Sequence, residues 1–67
     1  MTKRSMRNKL RHQVQMCIDN LDEVEQHLVF LDGLADAQHP LVTEHLPTYV
    51  TMVEVLRSGL KTFRSSL

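Results

Sequence analysis

The sequence predicts an all-α protein: an antiparallel two-helix hairpin, coiled-coil-like, completed to an antiparallel four-helix bundle by dimerisation. Two apolar stripes with heptad spacing run through the chain as mirror images of each other. A polar segment containing Pro40 separates them. More apolar side chains lie off the stripes than a single helix–helix seam can bury.

The first stripe is Leu10, Val14, Cys17, Leu21, Val24, Leu28, Leu31 and Ala35. The second is Leu46, Tyr49, Val53, Leu56, Leu60, Phe63 and Leu67. Folding the chain back near Gln38 and His39 pairs Leu31 with Leu46, Leu28 with Tyr49, Val24 with Val53, Leu21 with Leu56, Cys17 with Leu60, Val14 with Phe63 and Leu10 with Leu67. The two residue numbers of every pair add to 77. Each pair sets an a position against a d position, as an antiparallel coiled coil requires. In this lettering Val14, Leu21, Leu28, Ala35, Leu46, Val53, Leu60 and Leu67 form the a rows. The d rows are Leu10, Cys17, Val24 and Leu31 on the first helix and Tyr49, Leu56 and Phe63 on the second.

Helix one is expected over about residues 3–35, capped by Thr2 or Ser5. Gly33 is a candidate left-handed end residue, but Leu34 and Ala35 continue the apolar pattern, so the end is placed near Ala35. Residues 36–45 form the connection, in which Pro40 can open a short helical turn across Leu41 to His45, and helix two proper starts between Thr43 and Leu46. Pro47 lacks an N–H and fits the first turn of a helix, so helix two is expected over about residues 46–65. The β-branched residues between Val50 and Val55 do not alternate with polar ones and follow the 3.5-residue period, which argues against a strand. Gly59 weakens helix two by about 1 kcal/mol relative to Ala. It lies on the g flank opposite Asn20, either as a docking notch or as a tolerated local weakness.

With 67 residues the chain has room for one domain, 1–67. A domain of that size buries only about 60% of the surface its unfolded chain exposes, so its core needs a staple, a metal or another chain. The single cysteine, Cys17, cannot staple the monomer, and its d position predicts a buried thiol in a reducing, cytoplasmic setting. No run of eighteen apolar residues is present, so no membrane span is expected. The basic start lacks the apolar core of a secretory signal, and Leu10, Val14 and Cys17 tie it to the core stripe.

Net charge is zero, with eight basic and eight acidic residues, but the two signs are segregated. Lys3, Arg4, Arg7, Lys9 and Arg11 precede residue 12, Arg57, Lys61 and Arg64 close the chain, and all acids lie between Asp19 and Glu54. A hairpin therefore collects the cations at its open end. Within helix one, Arg7 with Arg11 and Asp19 with Glu23 are like-charge neighbours one turn apart, which an antiparallel neighbouring helix would relieve.

Ile18, Val29, Phe30, Leu34, Val50, Met52 and Val55 lie off the stripes. Burying each is worth about 1.5–3 kcal/mol, so a second chain is expected to cover them. The e row of helix one reads Arg4, Arg11, Ile18, Glu25 and Asp32, and an antiparallel copy crossing at Ile18 sets Arg11 against Glu25 and Arg4 against Asp32. The expected partner interface is thus Arg11, Ile18, Glu25, Val29, Phe30, Val50, Met52 and Val55. In arrangement the resulting bundle is similar to the small plasmid-encoded Rop-type regulators, a likeness of fold alone that carries no residue across.

No Gly-rich phosphate loop, paired cysteines or H-E-x-x-H motif occurs, and no nucleophile has a base and orienting acid in sequence reach. His39 and His45, with Asp36 and Glu44, match no structural zinc spacing. His27 reads as a boundary residue and His12 as an extension of the basic end. The carboxylates Asp19, Asp22, Glu23 and Glu25 occupy solvated or flank positions. No catalysis, cofactor or metal is expected. The leading expectation is a protein-interaction module: an adaptor, regulator or secretion-type chaperone that pairs with itself or with another helical protein. The alternative, motivated by the basic pole at the open end, is a Rop-like regulator making nucleic-acid contact through Lys3, Arg4, Arg7, Lys9, Arg11, Arg57, Lys61 and Arg64. Membrane docking lacks the bulky anchors that mode uses.

Overall fold

The computed structural model describes residues 3–67, with side chains from Met6 onward. The cap candidate Thr2 and the side chains of Lys3, Arg4 and Ser5 lie outside the described residues; the other cap candidate, Ser5, falls inside α1 and not at its start. Two helices, α1 (Lys3–Ala35) and α2 (Pro40–Ser66), pack against each other as an antiparallel hairpin. The molecule measures 55 × 16 × 12 Å. Its thin dimension is one helix diameter, about 10–12 Å, so only the opposing helix covers either one.

α1 ends at Ala35 because the chain turns left-handed there. Asp36 and Ala37 have φ of 47° and 58°. The Asp36 N–H still donates to the Asp32 carbonyl at 3.1 Å, and the Gln38 N–H donates to the Ala35 carbonyl at 2.8 Å. Gly33 has no positive φ and sits inside the helix. The end residue is set by Asp36 and Ala37, not by glycine.

α2 begins six residues before the expected start at Leu46. Pro40 occupies the first helical position, where its fixed φ suits the helix and its missing N–H costs no bond. The first main-chain bond follows at once, from Thr43 N–H to the His39 carbonyl at 3.0 Å. Pro47 is therefore a proline inside the helix, not at its start. The ladder survives it, and Thr51 Oγ1 donates to the Pro47 carbonyl at 3.0 Å one turn on.

The seam is where the structure departs most from expectation. Both a rows face it: Val14, Ala35 and Leu46 are buried, and Leu21, Leu28, Val53, Leu60 and Leu67 are half-buried. The row that joins them is e, not d. Ile18 is the most enclosed side chain among the described residues at 2% exposure, and Glu25, Val50, Arg57 and Arg64 are half-buried. Leu10, Cys17, Val24, Leu31, Tyr49, Leu56 and Phe63 are all exposed. At 100° per residue, exchanging d for e rotates each helix by about 50° about its own axis. The expected Leu21–Leu56 layer is thus occupied by Arg57 in place of Leu56. Both stripes have the same alternating spacing of three and four, so the heptad period cannot choose between them.

Candidate functional site

The rotation gives the hairpin two unlike faces. On one, the grooves between the helices are lined by Asp22, Glu25, Gln26, Val29 and Arg57 in the middle and by Asp32, Pro47 and Glu54 nearer the turn. This face carries the ion pairs that cross the seam, over grooves that Leu28, Val29, Leu46 and Val50 also line. Arg57 Nη1 donates to Asp22 Oδ1 at 2.9 Å and to Glu25 Oε2 at 2.7 Å. The hydrogen bond to Asp22, then that to Glu25, raises the Arg57 pKa, against a smaller opposing effect of desolvation.

The opposite face carries the d rows of both helices. In an antiparallel pair whose seam is a/e, the two d rows lie about 80° to the same side. The groove lined by Leu28, Leu31, Leu46 and Tyr49 shows them side by side near the turn. Tyr49 is 54% exposed, and Leu56 and Phe63 53% each. Leu10, Val24 and Leu31 flank them on α1, with Cys17 between, also exposed. The g positions extend this face with Met6 and Leu34 on α1 and Met52 on α2, all exposed.

The more apolar of the two available rows is therefore the open one. The e rows hold Ile18 and Val50 among Arg11, Glu25, Asp32, Arg57 and Arg64, whereas the d rows from Leu10 onward hold no charge. Total accessible surface is 5517 Å², against about 4,400 Å² for a compact monomer of this mass. The radius of gyration is 16.1 Å, against about 11 Å for a compact chain of this length.

The expected interface residues are scattered by this geometry. Ile18 lies inside the hairpin's own seam, Val50 is half-buried there, and Glu25 is held by Arg57. These three are corrected from partner surface to intramolecular core. The cause is the rotation, which turns the e row inward. Arg11, Val29, Phe30, Met52 and Val55 are exposed; Val29 borders the ion-paired face, and Met52 borders the apolar one. Cys17, expected to be buried, is exposed for the same reason.

The basic open end is reduced. Arg57 is turned to the carboxylates at mid-hairpin and leaves the group, and Arg64 is half-buried. Arg7, Lys9, Arg11 and Lys61 are exposed, with the Arg7 Nε donating to the Leu67 carbonyl where the two ends of the hairpin meet. Among the described residues, no three His, Cys, Asp or Glu side chains gather as metal ligands. No helix among them is long and apolar enough to cross a membrane.

No family model, curated protein or solved structure matches this chain.

Proposed function

We propose that this chain is a small non-enzymatic protein–protein interaction module of the cytoplasm. It works as an adaptor, regulator or secretion-type chaperone by pairing with itself into a four-helix bundle or by completing a larger helical assembly. One observation carries the reading: the d rows of both helices, uncharged from Leu10 onward, share one face and are left open, while the charged e rows are closed. A helix in a four-helix bundle has two neighbours and so turns three adjacent rows toward them. Here those rows are d, a and e, of which d and a are apolar and e is closed by its ion pairs. The a row points at the bundle axis, e meets the intrachain neighbour, and d is left for another chain.

Leu56→Glu tests this. The residue is exposed, so the hairpin keeps its helical circular dichroism, while association through the face is lost. If the variant retains every partner that the wild type pulls from its native host, its own copies included, the apolar face is not the working surface.

The meeting of the two chain ends at Arg7 and Leu67 favours a second reading, nucleic-acid contact through Arg7, Lys9, Arg11 and Lys61, which concentrates these cations at one tip.

A further inference from the structure

We infer that the occupant of the open apolar face is a second copy of this chain, stacked face to face with its turn at the opposite end. The inference rests on the interaction-module reading and names its partner. Area and charge both favour it. The whole rod exposes about 1,100 Å² more than a compact monomer, a surplus on the scale of the roughly 800 Å² that each partner contributes to a standard interface. Arg7, Lys9, Arg11, Lys61 and Arg64 sit at the open end, and Asp32, Asp36 and Glu44 sit near the turn. End-for-end stacking brings each basic end near the other copy's acidic turn, at the rim of the contact because Arg11, Asp32 and Arg64 belong to the e rows away from the open face, whereas same-end stacking brings like ends together.

The exposed rows are self-complementary about one twofold axis, as an isologous interface requires. On α1 the d row is centred between Asn20 and Leu21, which stacks Leu10 on Leu31 of the second copy and Cys17 on its Val24. On α2 the row is centred at Leu56, which meets its own counterpart, while Tyr49 stacks on Phe63 of the second copy. The two centres must be level for a single axis to serve both helices. They are level to within about one turn, since Arg57 spans Asp22 and Glu25 at mid-hairpin and Arg7 meets Leu67 at the open end.

The g row of α2 adds a size match. About the same axis Met52 of one copy falls on Gly59 of the other. Met52 is exposed, and a Cβ built on Gly59 meets nothing within 4 Å in the single chain. The glycine notch thus receives the methionine.

Two sets of variants test the partner and the register, read by sedimentation and by oxidative cross-linking. Gly59→Met keeps the hairpin helical, since space is open there and Met favours a helix over Gly, but fills the notch and weakens the dimer at least about tenfold. Adding Met52→Ala to it restores the dimer by exchanging large for small. With Cys17→Ser in place, Leu56→Cys cross-links to itself on the axis, and Tyr49→Cys does so at least about tenfold more slowly, because its neighbour is Phe63. A wild-type chain that is monomeric at all concentrations overturns the inference, and the interaction-module reading then rests on other captured partners. A dimer in which Tyr49→Cys self-links as fast as Leu56→Cys, or in which Met52→Ala fails to rescue Gly59→Met, overturns the register and leaves self-association standing.

Discussion

Arg57 Nη1 lies 2.7 Å from Glu25 Oε2 across the helix–helix seam, and with the bond to Asp22 it makes a charged layer between Leu21 and Val53. A lone carboxylate at Glu25 would be costly in that half-buried position, so the pair fixes which rows face each other. Arg57→Leu therefore lowers the melting temperature, because Glu25 is left in the seam without its partner. Glu25→Leu with Arg57→Leu recovers most of the loss, since two apolar side chains then pack where the ions stood. The Arg57 pKa is raised, so its contribution is fully present below its ordinary value and is lost only as pH rises through the raised one. Between about pH 7 and 9 its protonation is therefore constant, and a melting curve that moves there does so for other groups. Added salt, by contrast, lowers the melting temperature by screening this partly exposed pair. A double variant that melts as low as Arg57→Leu alone would remove the charged layer as the explanation.

Pro47→Ala is expected to stabilise the hairpin by roughly 1–3 kcal/mol. The ring sits inside α2, its nitrogen cannot bond the carbonyl four residues back, and the side chain is exposed, so nothing is lost in packing. Denaturant unfolding followed by circular dichroism measures the gain. An unchanged midpoint would mean that the helix already accommodates the break at no cost.

Ala37→Gly is expected to add about 0.5–1 kcal/mol. Ala37 holds φ at 58°, a left-handed conformation that Cβ penalises and glycine adopts freely. Asp36, at φ 47°, is of a type that tolerates this region better. The same unfolding experiment reads the difference, and a loss of stability would show that the turn conformation is different in solution.

These positions also mark what was legible in the chain. Val14, Leu21, Leu28, Ala35, Leu46, Val53 and Leu60 were readable as core because they belong to both candidate stripes, d–a and a–e. Which flank completes the stripe was not readable, since the two have identical spacing and the d row is the greasier. The deciding signal lies across the hairpin, in Arg57 meeting Asp22 and Glu25, and it has meaning only once the register of the two helices is known. Cys17 and Ile18 exchanged places for this one reason. The early start of α2 had a local signal, Pro40 opening a turn across Leu41 to His45, but Pro47 also suits a helix start, and only the main chain shows the turn running on through it.

Salt dependence separates the nucleic-acid reading from the protein one. If Arg7, Lys9, Arg11 and Lys61 contact phosphate, the four cations give a slope of log affinity against log salt of about −3 to −4 on duplex. Lys61→Ala then lowers the slope by about 1. Weak binding with a flat response between 50 and 200 mM salt would leave the tip as a solubilising and orienting charge.

Ile18 gives the sharpest contrast between core and surface. At 2% exposure it is wedged between the two helices, in a molecule whose described buried core is only four side chains. Ile18→Ala is expected to cost about 2–3 kcal/mol, a large part of the stability of so small a domain, and to act by loosening the hairpin itself. Val55→Ser, at an exposed position on the outer side of α2, changes stability by no more than about 0.5 kcal/mol. The diagnostic is the concentration dependence of unfolding. For Ile18→Ala the loss persists when protein concentration is raised tenfold, because the defect lies within one chain. For Leu56→Glu raising the concentration restores nothing, yet the low-concentration melting curve matches that of dilute wild type. If Ile18→Ala instead leaves the dilute hairpin as stable as wild type and weakens only its association, the side chain belongs to an intermolecular surface and the seam runs along the d rows after all.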